Sequence, residues 1–135
     1  TARFNCDKAI TGIFNYVTGS KTEIDFEIEG NERNNIVHMT SWIGENLSNE
    51  QSKSVLALPY PHEEFHNYKF IWIPGRIYFY INGVLHAVHS KVVPTEPAHI
   101  VINHWGTHNP NWGGFATPGV ERWVWVKSVG FTPLL

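Results

Sequence analysis

An all-β sandwich is the fold this sequence predicts, and three observations carry the prediction. Short runs rich in Val, Ile, Phe, Tyr and Trp alternate with polar residues at period two. Turn signals separate the runs at frequent intervals, among them Gly19-Ser20, Pro74-Gly75 and Asn82-Gly83. No segment sustains the helical period of about 3.6, and no internal repeat stands out. Short strands between regular turns build two packed sheets. The 135 residues suffice for one domain with a buried core, so residues 1–135 are read as a single β-sandwich domain.

Taken in order, residues 2–6 and 10–17 read as strands on either side of the polar Asp7-Lys8, and Gly19-Ser20 turns the chain into 22–30. Residues 36–43 form the next strand, with Val37, Met39 and Ser41 on one face and His38, Thr40 and Trp42 on the other. Residues 44–54 are polar and turn-rich, with a weak helical signal, before a short strand at 55–58 that Pro59 and Pro61 stop. Strands follow at 68–73 and 76–81 around Pro74-Gly75. Asn82-Gly83 then predicts a type I′ hairpin into 84–93, because that turn needs positive φ at both positions. A strand at 98–105, a long Gly/Asn/Pro/Trp loop to Pro118, and a closing strand at 120–131 complete the chain.

The stretch 22–30, Thr-Glu-Ile-Asp-Phe-Glu-Ile-Glu-Gly, carries the chemistry. Ile24, Phe26 and Ile28 alternate with Glu23, Asp25, Glu27 and Glu29, so a strand buries the first set and lines up the acids on the other face. Like carboxylates at close range cannot all stay ionised, and one pKa is pushed up. Residues i and i+4 on a strand lie roughly 13 Å apart at Cα. Two Glu side chains leaning together, each reaching roughly 4 Å, leave about 5 Å between carboxyls. Retaining glycosidases hold their two carboxyls about 5–5.5 Å apart. Glu23 and Glu27 fit such a pair, with Asp25 between them to tune both.

Composition narrows the alternatives. A net charge of −2 argues against electrostatic capture of nucleic acid or an anionic membrane. No apolar run reaches the roughly 18 residues of a membrane-spanning helix. Aromatics at 14% suit stacking surfaces of the kind sugars use. Cys6 is the lone cysteine and makes no internal disulfide. Asn46-Leu47-Ser48 is a glycosylation sequon. Among the histidines, His86 and His89 are three apart on a strand and point to opposite faces, and His104 and His108 lack a third ligand of matching spacing. No metal and no cofactor are expected. Asn103 and Trp105 share a strand face, a polar group and a ring addressing one sugar. Trp112 lies in a Gly-rich loop, a poor place for a core residue. Trp72, Trp123 and Trp125 read as core.

Glu23-Ile24-Asp25-Phe26-Glu27 followed by Gly30 resembles the signature of glycoside hydrolase family 16 in its unbulged form. The similarity extends over nearly the whole chain. His66-Asn67-Tyr68-x-Phe70-x-Trp72-x-Pro74-Gly75-x-Ile77-x-Phe79-Tyr80-x-Asn82-Gly83 is similar to the family's central hairpins. Asn103-His104-Trp105 with Asn111-Trp112-Gly113-Gly114 is similar to its Asn-x-Trp segment and Trp-Gly loop, and Trp125-Val126-Lys127 to its closing strand. The resemblance is strongest to licheninases, endo-β-1,3-1,4-glucanases. It implies a concanavalin-like β-sandwich (jelly roll) of antiparallel strands, with Glu23 as nucleophile, Glu27 as acid/base and Asp25 assisting. Asp25 would hold a raised pKa on Glu27 and orient Glu23. Asn103, Trp105, Trp112, His38 and Trp42 would bind substrate.

Family members usually carry several more strands before the motif. Three arrangements follow: a fragment of a longer protein, pairing with a separate piece or a second copy that supplies strands, or a compacted form. The licheninase calcium site uses an Asp where this chain has Val124, so no calcium is expected there. The resemblance implies a secreted enzyme acting on a β-glucan polysaccharide, mixed-linkage β-1,3-1,4-glucan first, or a transglycosylase using the same residues. A carbohydrate-binding module without turnover is the reading of a different class. The acid row argues against it and the short chain for it. A bell-shaped pH profile marks the enzyme, a flat one the binder.

Overall fold

A computed structural model describes residues 1–5, 7–30, 36–44, 51–57 and 64–133, the side chains of 51–56 apart. Ten strands run as β1 (Ala2–Asn5), β2 (Ile10–Val17), β3 (Thr22–Glu29), β4 (Ile36–Trp42), β5 (Gln51–Ala57), β6 (Tyr68–Ile73), β7 (Arg76–Ile81), β8 (Val84–His89), β9 (His99–Trp105) and β10 (Trp123–Val126). All pairings are antiparallel, and no helix occurs among the described residues. The predicted β-sandwich is the observed fold. Cys6 and the sequon at 46–48 lie outside the described residues.

One sheet has the order β5-β4-β3-β2-β9, with the acidic strand at its centre. The second has the order β6-β7-β8, and β1-β10 joins it where Ala2 and His66 exchange backbone hydrogen bonds of 3.0 Å. Period-two alternation on β3 sends Ile24, Phe26 and Ile28 inward, all fully buried, where Val37 and Met39 of β4 join them. Across the interface stand Phe4, Tyr68, Ile77, Phe79 and Ile81. Phe26 meets the ring of Phe79 edge-on at 5.3 Å and that of Tyr68 at 5.7 Å, favourable aromatic geometry. The predicted hairpin turn is present, with φ of 50° at Asn82 and 81° at Gly83.

Four local readings are corrected by the structure. β5 starts at Gln51, inside the stretch read as turn-rich, because Gln51 pairs with Ser41 of β4 and sheet pairing overrides weak local propensity. The strand expected to run to 93 ends at His89; beyond it Ser41 Oγ donates to Val92 O at 2.7 Å and Trp72 Nε1 to Pro94 O at 2.7 Å, so side chains replace the ladder. The closing strand is four residues rather than twelve, since its partner β1 offers only Ala2–Asn5. Trp125 is not core. It lies on the outer face of β10, 56% exposed, with the Arg3 guanidinium 5.1 Å from its ring, while Val124 takes the inner face.

Candidate active site

The outer face of the five-stranded sheet collects the polar chemistry. Register fixes the rows across it. Glu23 lies between Tyr16 of β2 and Trp42 of β4, Asp25 between Phe14 and Thr40, and Glu27 between Gly12 and His38. β9 extends the rows, with Val101 opposite Phe14 and Asn103 opposite Gly12, and Trp105 opposite Ile10 one step further along. A cavity of ≈ 400 Å³ opens here, lined by Gly12, Phe14, Tyr16, Glu23, Glu27, Val101, Asn103 and Trp105.

Glu23, Glu27, Asn103 and Trp105 therefore share one cleft, as the alternation of β3 and β9 predicts. Asp25 sits between the two glutamates and is buried. His38 and Trp42 stand on the far side of β3, on the same face but outside the cavity lining. Trp112 comes from the loop after β9 and packs edge-on against the His38 ring at 4.8 Å. Sequence reasoning missed Phe14, Tyr16, Val101 and Gly12 as cleft residues. The rings of Phe14 and Tyr16 stand near-perpendicular, 6.3 Å apart, forming an aromatic wall.

Gly12 has a specific packing role. A Cβ built there would stand 2.6 Å from Asn103 Oδ1, inside any real contact. The missing side chain lets the Asn103 amide cross over β2 toward the strand that carries Glu27.

Electrostatics single out Glu23. Its burial in the cleft, and then the charge of Glu27, push its carboxyl from the ordinary 4.5 up to about 7. Glu23 is thus a raised acid of the row. The cleft thus holds two carboxyls, one of which, Glu23, keeps its proton up to about pH 7. Among the described residues, no group of three or more His, Cys, Asp or Glu is arranged to hold a metal ion. His86 is exposed and His89 buried, and His104 turns away from the cleft to bond Thr11 Oγ1 at 2.7 Å.

Comparison with known proteins decides the family. The model of glycosyl hydrolases family 16 matches residues 10–120, which include the acid row, both cleft strands and the Trp112 loop. The chain belongs to family 16. A beta-glucanase of Paenibacillus macerans is 31% identical over 112 residues, 78% of this chain and 45% of that protein. In structure, the Bacillus licheniformis beta-glucanase superposes with a TM-score of 0.77 at 22% identity, over 91% of this chain and 58% of the other. An apo transglycosylase gives 0.71 at 15% identity, over 91% and 57%. At such identities the structural matches establish the fold that the family 16 chain shares with them. The chain spans about half the length of these relatives, 45% to 58%.

Proposed function

We propose that the chain is the catalytic unit of a retaining endo-β-glucanase that cleaves mixed-linkage β-1,3-1,4-glucan. The observation that carries the reading is the pairing of Glu23 and Glu27 in one cleft with Asn103 and Trp105, one carboxyl already pushed up to about 7. Glu23 attacks the anomeric carbon while Glu27 protonates the departing glycosidic oxygen. The glycosyl-enzyme ester on Glu23 is then opened by a water that gives its proton to Glu27. Asp25, buried between the two, assists by orienting Glu23. Asn103 and Trp105 position the sugar at the reacting centre, and Phe14 and Tyr16 offer rings for the glucan to stack on. His38, Trp42 and Trp112 address the chain across β3.

This division of labour needs Glu23 ionised and Glu27 protonated, whereas burial and the Glu27 charge favour the proton on Glu23 in the free protein. The active form is therefore the one in which that proton has passed to Glu27 as substrate binds. Turnover then falls as the pH rises through about 7 and that proton is lost. A transglycosylase would use the same residues with a saccharide acceptor in place of water, and the structural likeness to a transglycosylase keeps that reaction in view. The reading places the protein outside the cell, where such polysaccharides occur.

The test is reducing-sugar release from barley-type mixed-linkage glucan by this chain, beside Glu23→Gln. Release by the parent, loss in the variant and a first-formed product of β configuration support the reading. A folded parent that binds the glucan with no release would overturn it in favour of a binding module. Equal release by the variant would remove Glu23 from its role.

A further inference from the structure

The glucanase reading uses three of the four acids of β3 and leaves Glu29 without a task. Glu29 does not line the cavity. Its side chain is largely buried and ties two elements together. Oε2 stands 3.0 Å from His38 Nε2 on β4, and Oε1 accepts from Gly113 N at 3.4 Å.

Gly113 belongs to a loop that is bonded to itself. Trp112 N and Gly114 N both donate to Asn109 O, at 3.0 and 2.9 Å, and Thr107 Oγ1 donates to Trp112 O. Gly113 has φ of 75°, a conformation that favours glycine, and a Cβ there would stand 3.1 Å from Ile10 Cδ1, so the loop seats closely against β2. The Glu29 carboxylate therefore grips both halves of the Trp112–His38 ring contact, His38 directly and Trp112 through its neighbour Gly113. His38 is in turn the registered neighbour of Glu27.

The cavity lies on the β2–β9 side of the acid row, and the His38–Trp112 contact on the β4 side. A glucan with one end in the cavity and its scissile bond over β3 carries its other end past β4. The geometry points to Glu29 as a positioning residue that latches the 106–114 loop, and with it the Trp112 ring, beside Glu27 on the leaving-group side. This inference rests on the role proposed for Glu27.

The test compares the parent, Glu29→Gln and Glu29→Ala on two substrates. One is a mixed-linkage β-glucan oligosaccharide, whose leaving group is a sugar. The other is the same glycone as a nitrophenyl glycoside, whose leaving group carries no sugar and needs little acid assistance. Misplacing a contact by about an ångström costs up to about a hundredfold, so both variants should lose about tenfold or more in kcat/KM on the oligosaccharide and less than about threefold on the nitrophenyl glycoside. The Trp112 indole N–H resonance, assigned by its absence in Trp112→Phe, should move in both variants. Parallel losses on the two substrates would mark a general structural role and overturn the inference, as would an unmoved Trp112 resonance. A parent inactive on both substrates would instead defeat the glucanase reading itself.

Discussion

Replacing Glu23 with Gln should make the protein more stable, and only where the pH is high. The Glu23 carboxyl rises from 4.5 to about 7 on folding, through burial first and the Glu27 charge second. The folded state therefore holds a proton that the unfolded chain has released between those values, and stability falls as the pH climbs from 4.5 to about 7, then levels off. At about 1.4 kcal/mol per pH unit the gap corresponds to about 3.4 kcal/mol. Glu23 is only partly buried, so solvent screening takes a share and about 2 kcal/mol is expected. Gln keeps the shape and never ionises. At about pH 8 Glu23→Gln should unfold about 6 °C above the parent, and at about pH 4 the two should coincide. Thermal unfolding followed by circular dichroism at both pH values measures this. Equal stability at both values, or an advantage of the same size at both, would refute the argument that Glu23 is charged at a cost in the cleft.

Two further outcomes are expected. Gly12→Ala puts a Cβ 2.6 Å from Asn103 Oδ1, an atom at the tip of a side chain rather than of the backbone, so stability should drop by less than about 1 kcal/mol. Displacing the amide from the reacting centre should cost about tenfold in kcat/KM, read by glucan hydrolysis beside chemical denaturation. His89, buried with Nδ1 3.1 Å from Ser41 Oγ, has its pKa lowered by burial. Protonation therefore favours the unfolded chain, and stability present above pH 6.5 is lost as the pH falls below it. His89→Gln should flatten that acid limb without removing it, since burial and then Arg122 also lower His104. An unchanged slope in an acid denaturation series would sink the assignment.

Much of this molecule is written in period-two alternation. β2, β6 and β7 are bounded as the sequence predicts, and the facing of β3, β4 and β9 brings Glu23, Glu27, Asn103 and Trp105 to one cleft. What the sequence hides is set by partners. β10 stops where β1 runs out, and a strand packed on one side only leaves Trp125 to solvent. Phe14 and Tyr16 escaped notice for a related reason. β2 has apolar residues on both faces, Ile13 and Val17 on one and Phe14 and Tyr16 on the other, so alternation alone does not say which face meets the acids. The pairing of Tyr16 with Glu23 does. The row of like charges also predicts that one carboxyl is raised but not which one. Glu23 is raised, through burial in the cleft formed with β2 and β9 and then the Glu27 charge.

The core and the site cannot be varied independently. Phe26 is the residue between Asp25 and Glu27, and its ring is held by Phe79 and Tyr68 of the opposite sheet. Because the side-chain period of a strand is two, slipping β3 by one residue would bury the carboxylates and expose Ile24, Phe26 and Ile28. The aromatic packing that makes this slip prohibitive is therefore also what fixes the acid row against Gly12, Phe14 and Tyr16. The acids gain their positions from contacts on the face they do not occupy. A carboxylate row placed on the central strand, with neighbours on both sides to hold its register, is more tightly specified than the same row would be on an edge.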